Sequence, residues 1–130
     1  MNIKSGIKLL EESEGHGETA EKGDQVVYNI KLFLNMGEEV LLNQIQVKNM
    51  PEHLSHMVRT EGDYKFINHH TTLGKRETVA AVEYSLIGMK EGGYRKIKAS
   101  PHLAYGENGI PGLIPKDAVL TIEIWLREIN

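Results

Sequence analysis

The sequence contains no cysteine, which excludes disulfide scaffolds, thiolate zinc sites and thiol nucleophiles together. It also lacks an excess of positive charge. The 15 Lys and Arg residues stand against 18 Asp and Glu, a net charge of −3, so the basic footprint of a general nucleic-acid binder is missing. No apolar run approaches the roughly 18 residues of a membrane-spanning segment. The opening MNIKSGIKLLEE has no apolar core of a secretory leader, so a cytoplasmic protein is the expectation; a monomer is expected as well. With 40% apolar and 25% charged residues over 130 positions, one globular domain spanning 1–130 is expected.

Local chemical signatures are equally scarce. There is no phosphate-binding G-x-x-x-x-G-K-[ST] loop, no G-x-S-x-G nucleophile elbow and no H-E-x-x-H metal helix. His53, His56, His69 and His70 cluster in sequence, but without accompanying carboxylates they read as solvated histidines and no metal is expected.

What is present is periodicity. Val26, Tyr28, Ile30, Leu32 and Leu34 alternate with Asn29 and Lys31, the pattern of a half-buried strand. Leu120, Ile122, Ile124 and Leu126 alternate with Thr121, Glu123, Trp125 and Arg127, a second such strand with Trp125 on its outer face. Tyr94–Ala99 is a third; Ile3–Glu14 reads as a strand or a short amphipathic helix, Gly6 favouring the strand, and is ended by a turn at Gly15–Glu18. Glu77–Met89 carries Val79, Val82, Leu86 and Met89 at helical spacing, with Gly92-Gly93 as its stop. Between residues 38 and 73 periodicity fades. Val40–Leu42 and Ile45–Val47 suggest short extended pieces, Glu52–Val58 a helical turn after Pro51, and Tyr64–Ile67 a strand. This segment is expected to be a long flap, with residues 43–72 more mobile than the rest. Four or five strands and one helix make an α+β domain with a mainly antiparallel sheet.

The stretch from Ala99 to Ile129 carries Pro-x-x-Ala-Tyr-Gly at 101–106, then Gly-x-x-Gly-Leu-Ile-Pro at 109–115, then the alternating strand. It resembles the C-terminal half of the FK506-binding-protein peptidyl-prolyl isomerases. Ser5-Gly6-Ile7-Lys8, Gly23-Asp24-Gln25-Val26, Leu73-Gly74 and Gly92 ahead of Arg95-Lys96 extend the resemblance over residues 3–37 and 73–130. It implies a five-stranded antiparallel sheet curled around one short helix, with a pocket between them. It further implies cis–trans isomerisation of X-Pro bonds without metal, cofactor or covalent intermediate. The partners are then proline-containing peptides or unfolded protein segments, in a folding-helper role.

The resemblance also assigns roles. Tyr105 matches the pocket tyrosine whose hydroxyl donates to the substrate carbonyl; its alternative role is structural, bonded to the 107–112 loop. Leu113 and Ile114 match the aliphatic pair flanking the proline, and Val79 the residue whose backbone N–H meets a ligand carbonyl. Ile122 matches an aromatic on the last strand, and Val82 stands where the family has its tryptophan floor. Counting from Gly23-Asp24, Ile30 falls on a tyrosine, Val40 on a phenylalanine and Leu41 on the pocket aspartate, so tyrosine and aspartate are lost together. These aliphatic replacements suit an apolar pocket with fewer polar anchors, or a core that has filled it. The enlarged flap offers a lid or a surface for a protein partner, being about twenty residues longer than the shortest pattern needs. The expectation is therefore an isomerase with reduced activity; the alternative is a non-catalytic peptide- or protein-binding module using the pocket or the flap.

Overall fold

The computed structural model describes residues 2–130. The strands are β1 (Asn2–Lys4), β2 (Ile7–Ser13), β3 (His16–Thr19), β4 (Gln25–Leu34) and β5 (Glu39–Val40). Helix α1 (Leu42–Lys48) and a 3-10 turn (Glu52–Met57) follow, then β6 (Val58–Glu61), β7 (Tyr64–Ile67) and β8 (His69–Thr72). Helix α2 (Ala80–Leu86) precedes β9 (Lys90–Glu91), β10 (Tyr94–Ala99) and β11 (Leu120–Ile129). The main sheet runs β1-β2-β10-β11-β4-β5, with β8 also paired to β4, and every pairing is antiparallel. The α+β reading therefore holds, with a curled antiparallel sheet around a short helix.

The core forms where alternation places it. Leu120, Ile122, Ile124 and Leu126 are all fully buried and join Val82 and Leu86 of α2 in one apolar cluster. Burying a side chain of this size stabilises the fold by about 1.5–3 kcal/mol. Helix α2 is shorter than Glu77–Met89. Val79 is extended (φ −60°, ψ 145°), so the helix begins only at Ala80. At its other end Ile87 is again extended and Gly88 takes φ 97°, a left-handed turn that ends the helix well before Gly92-Gly93. Residues 16–19 are not a turn but the short strand β3 on β9.

The largest departure is the segment from 38 to 73, which is not an irregular loop. Val40 and Leu41 do not continue into a strand through Leu42: helix α1 begins there, and Ile45–Val47, expected as extended, lies within it. The helix was hidden because its one fully buried position is Asn43, while Ile45 remains 39% exposed. An asparagine on the inward face breaks the apolar period.

Asn43 is there because the sheet leaves a gap. One edge of β4 is taken by β8 along Gln25–Tyr28 and by β5 at Leu32–Phe33, so Ile30 between them has no strand partner on that side. A buried backbone carbonyl without a partner is costly. The Asn43 amide donates to the Ile30 carbonyl at 2.7 Å, and its oxygen accepts the Ile67 N–H at 3.0 Å. On the opposite face, fully buried Asn29 donates to the Ile67 carbonyl at 2.9 Å and to Asn68 Oδ1 at 2.8 Å. It accepts from Arg127 Nε at 2.7 Å, and Arg127 also pairs with Glu61 at 3.0 Å.

This network seats the β6–β7 hairpin across the outer face of the sheet. Phe66 meets Trp125 edge-on at 5.2 Å, and the Lys31 ammonium lies 4.0 Å from the Tyr64 ring centroid. Trp125 is thus on the face opposite α2, as its alternation requires, but covered and only partly exposed. The hairpin also explains why Val26 through Ile30 are buried without alternation.

Replacing Asn43 with Ala leaves both the Ile30 carbonyl and the Ile67 amide unpaired. Each such group costs about 1–3 kcal/mol, so a loss of about 2–6 kcal/mol is expected in urea unfolding. An unchanged midpoint would show that the clamp contributes nothing.

Candidate functional site

Three segments converge on the core beside α2: the head of that helix, the 101–119 loop and the inner face of β4 and β11. The loop is held by its own backbone. Gly106 N–H donates to the Pro101 carbonyl at 2.8 Å, Gly109 N–H to the Tyr105 carbonyl at 3.0 Å, and Asp117 N–H to the Gly106 carbonyl at 2.9 Å. Ile110 and Ile114 exchange two bonds at 2.9 and 2.8 Å. Gly109 permits this closure: its φ is 58°, and a Cβ there would lie 2.2 Å from the Ile114 carbonyl oxygen. The result buries Ile114 and leaves Leu113 half-buried on the rim.

The head of α2 is laced to β4 and β8. Tyr28 donates to Thr78 Oγ1 at 2.9 Å. Glu77 accepts from the Thr72 N–H at 2.6 Å, and Glu83 from the Gly74 N–H at 2.8 Å. Val79, next in line, gives its carbonyl to the amides of Val82 and Glu83, while its own N–H has no partner among the described residues.

Tyrosines divide sharply here. Tyr28, Tyr64 and Tyr94 donate to Thr78, Glu39 and Glu123 respectively, and Tyr84 stands at the surface. Tyr105, packed against the core, makes no hydrogen bond through its hydroxyl to any described residue. It is therefore not the structural tyrosine bonded to the 107–112 loop. Burial pushes its pKa up, which keeps the hydroxyl protonated and able to donate. Burial likewise raises Tyr28, opposed by its bond to Thr78, with neighbouring Tyr105 and Glu83 adding to the rise.

The nine residues singled out in the sequence fall into three groups. Ile30, Val40, Val82, Ile114 and Ile122 are 7%, 5%, 0%, 3% and 0% exposed, so their side chains are core. Tyr105, Leu113 and Val79 pack against that core from its rim. Leu41 stands apart, 50% exposed at the N-cap of α1, and Leu42 packs against the core instead. The expected juxtaposition of Ile30 with Leu41 is not made; the polar group facing Ile30 is Asn43. Leu42 and Asn43 do not stand out in the sequence because α1 does not, and His69, which reads there as solvated, turns inward. With Ile30 and Val40 these three line a slot too narrow to admit a water molecule.

The histidines do not gather. His53 and His56 are exposed on the 3-10 turn, His70 is exposed on β8, and His69 turns inward to stack on Tyr28 at 5.2 Å. No group of three or more His, Asp or Glu able to hold a metal occurs among the described residues.

A sequence profile described as FKBP-type peptidyl-prolyl cis-trans isomerase matches residues 16–127. The chain belongs to that family. It is 46% identical over all 130 residues to FK506-binding protein 4 of Chaetomium thermophilum, covering 23% of that protein. It is 29% identical over 129 residues, 98% of the chain, to the 39 kDa FK506-binding nuclear protein of Drosophila melanogaster, covering 30% of it. A shorter match, 39% over 57 residues (44% of the chain), covers 10% of the peptidyl-prolyl cis-trans isomerase FKBP9 of Bos taurus. The chain thus spans under a third of the length of these curated relatives. Its curled sheet packs on α2, with aliphatic residues at the inner positions and a structured 38–73 segment beside them.

Burial lowers the pKa of His69, and the neighbouring His70 lowers it further. The fold therefore holds His69 neutral. Its contribution to stability is fully present above the unfolded value of 6.5 and is lost as pH falls through the depressed folded value. Unfolding midpoints measured downward from neutral pH should fall below pH 6.5, and His69→Gln should flatten that slope. Equal slopes in both proteins would remove His69 from the account.

Proposed function

We propose that this FKBP-type domain isomerises X-Pro bonds in proline-containing peptides and unfolded segments, using an aliphatic site around Tyr105. The observation that carries the reading is the Tyr105 hydroxyl, bonded to no described residue, at the rim of a mainly aliphatic cluster. A tyrosine with its hydroxyl free is poised for a partner that arrives with the substrate.

The chemistry asks for little else. Rotation about the peptide bond must cross a barrier of about 18–20 kcal/mol, because it breaks amide resonance. The twisted amide is less polarised than the planar one, so an apolar, water-poor surface favours it over the hydrated ground state. Leu113 and Val79 at the rim suit the proline ring, and Ile114, Ile122 and Val82 behind them keep the surface dry. Tyr105 O–H donates to the carbonyl, and the unpaired Val79 N–H suits a second carbonyl of the same chain. Fewer aromatic walls mean fewer contacts that strengthen in the transition state, which supports activity below that of relatives keeping the aromatic floor.

Exchange spectroscopy on short Ala-Pro peptides tests this. Tyr105→Phe should lower kcat/KM by less than about 1.5 kcal/mol, the value of one neutral hydrogen bond. Leu113→Asp should cost more, because a carboxylate at the rim brings water to the surface that must stay dry. Exchange no faster than for the free peptide, in wild type and both variants, would refute the proposal.

A further inference from the structure

Strand β8 is an edge. It pairs only with β4, and its backbone parity is fixed by neighbouring bonds. Leu73 N–H donates inward to the Asp24 carbonyl, so odd-numbered residues of this strand face β4. Even-numbered residues face away. Two of those outward amides are occupied: Asn68 N–H donates to the Met57 carbonyl at 2.8 Å, and Thr72 N–H to Glu77 at 2.6 Å. Between them, the outward N–H and C=O of His70 have no partner among the described residues. Free edge groups of this kind are what an added strand pairs with.

The surface beside this edge is shaped for side chains. A groove of about 550 Å³ runs between α1, the 3-10 turn and β8, floored by Met50, Pro51, Met57 and Ile67. None of its lining residues is Asp, Glu, Lys or Arg. Methionines adapt to varied apolar shapes, and the amides of Gln46 and Asn49 on its wall suit a peptide backbone. On the other side of the edge lies a hollow of about 270 Å³ that includes Gln25, Thr72 and Glu77, and His70 lines both. The groove lies beside the narrow slot at Ile30 and Val40, since Gln46 and His69 line both.

We propose that the outer edge of β8 takes an extended, uncharged apolar stretch of the client polypeptide as an added strand. Its backbone pairs with His70, and an apolar side chain lies between Met50 and Met57. Identifying the occupant as a client rests on the isomerase reading; the strand site itself does not. A second copy of this chain fits less well. Its own β8 edge is His-His-Thr-Thr, which would set polar side chains over an apolar floor.

The test uses a proline-free, acetylated peptide of alternating leucine and threonine with one terminal lysine, titrated into the isotope-labelled domain. Shifts are expected at the His70 and Thr72 amides and the Met50 and Met57 methyls, with peptide-to-β8 nuclear Overhauser contacts. The same peptide N-methylated at alternate residues should bind about tenfold more weakly, as loss of backbone pairing requires. His70→Pro, which removes an outward N–H that β4 does not use, should weaken binding likewise, and so should Met50→Lys. Exchange on a short Ala-Pro peptide should be unchanged in His70→Pro. Equal binding of the N-methylated peptide, equal binding by folded His70→Pro, or shifts confined to Val79, Tyr105 and Leu113 would overturn the proposal. So would the same β8 shifts appearing with protein concentration alone, which would indicate a second copy. Failure of wild-type isomerisation with intact β8 binding would sink the catalytic reading and leave the strand site standing.

Discussion

The unpaired edge of β4 at Ile30 is the constraint on which the rest of the domain depends. A ten-residue strand in the middle of the sheet is flanked on one side by two short partners that do not meet. The exposed carbonyl must be satisfied in a buried setting, and a single side-chain amide, Asn43, does so. Because the same asparagine also accepts from Ile67, closing the gap fixes helix α1 and the β6–β7 hairpin at once. Asn29 repeats the arrangement on the opposite face through the Ile67 carbonyl. Buried polar networks are favourable only when every member is paired, and no buried side-chain nitrogen or oxygen among the described residues lacks a partner.

Around that clamp, the aliphatic side chains of the core are mutually consistent. Ile30, Val82 and Ile122 bring no hydroxyl, carboxyl or indole N–H into the interior, so none needs a partner there. Polar groups sit instead in the 38–73 segment, where Asn43, Tyr64 and Glu39 satisfy one another. Burial and the bond to Glu39 push Tyr64 up to about 12, so this chain of bonds stays intact across the physiological range. What remains polar at the rim of the core is Tyr105, a donor without an internal partner.

The legible part of the sequence was the part whose burial follows one period. Leu120 through Leu126 alternate because one face meets α2, and Pro101–Pro115 is recognisable because its glycines and prolines dictate a loop. The head of α2 was misjudged by three residues, since Val79 is apolar and at helical spacing yet extended in backbone. Leu41 was misjudged by one: the turn into α1 passes the inward direction to Leu42. The 38–73 segment was illegible because tertiary polar bonds, not apolar burial, hold it. Its inward anchors are Asn29, Asn43 and Arg127, residue types that in sequence read as surface.

The claim that this segment is an integral layer of the domain is tested most directly at one amide. Ile67 N–H donates to the side chain of Asn43, so its protection reports the clamp rather than a strand ladder. Native-state hydrogen exchange should find it protected to within about tenfold of Ile97 and Ile122 in the centre of the sheet, opening only with the whole fold. Exchange of Ile67 near the unprotected rate, while those central amides stay slow, would show the segment to be a loosely attached flap and contradict the account.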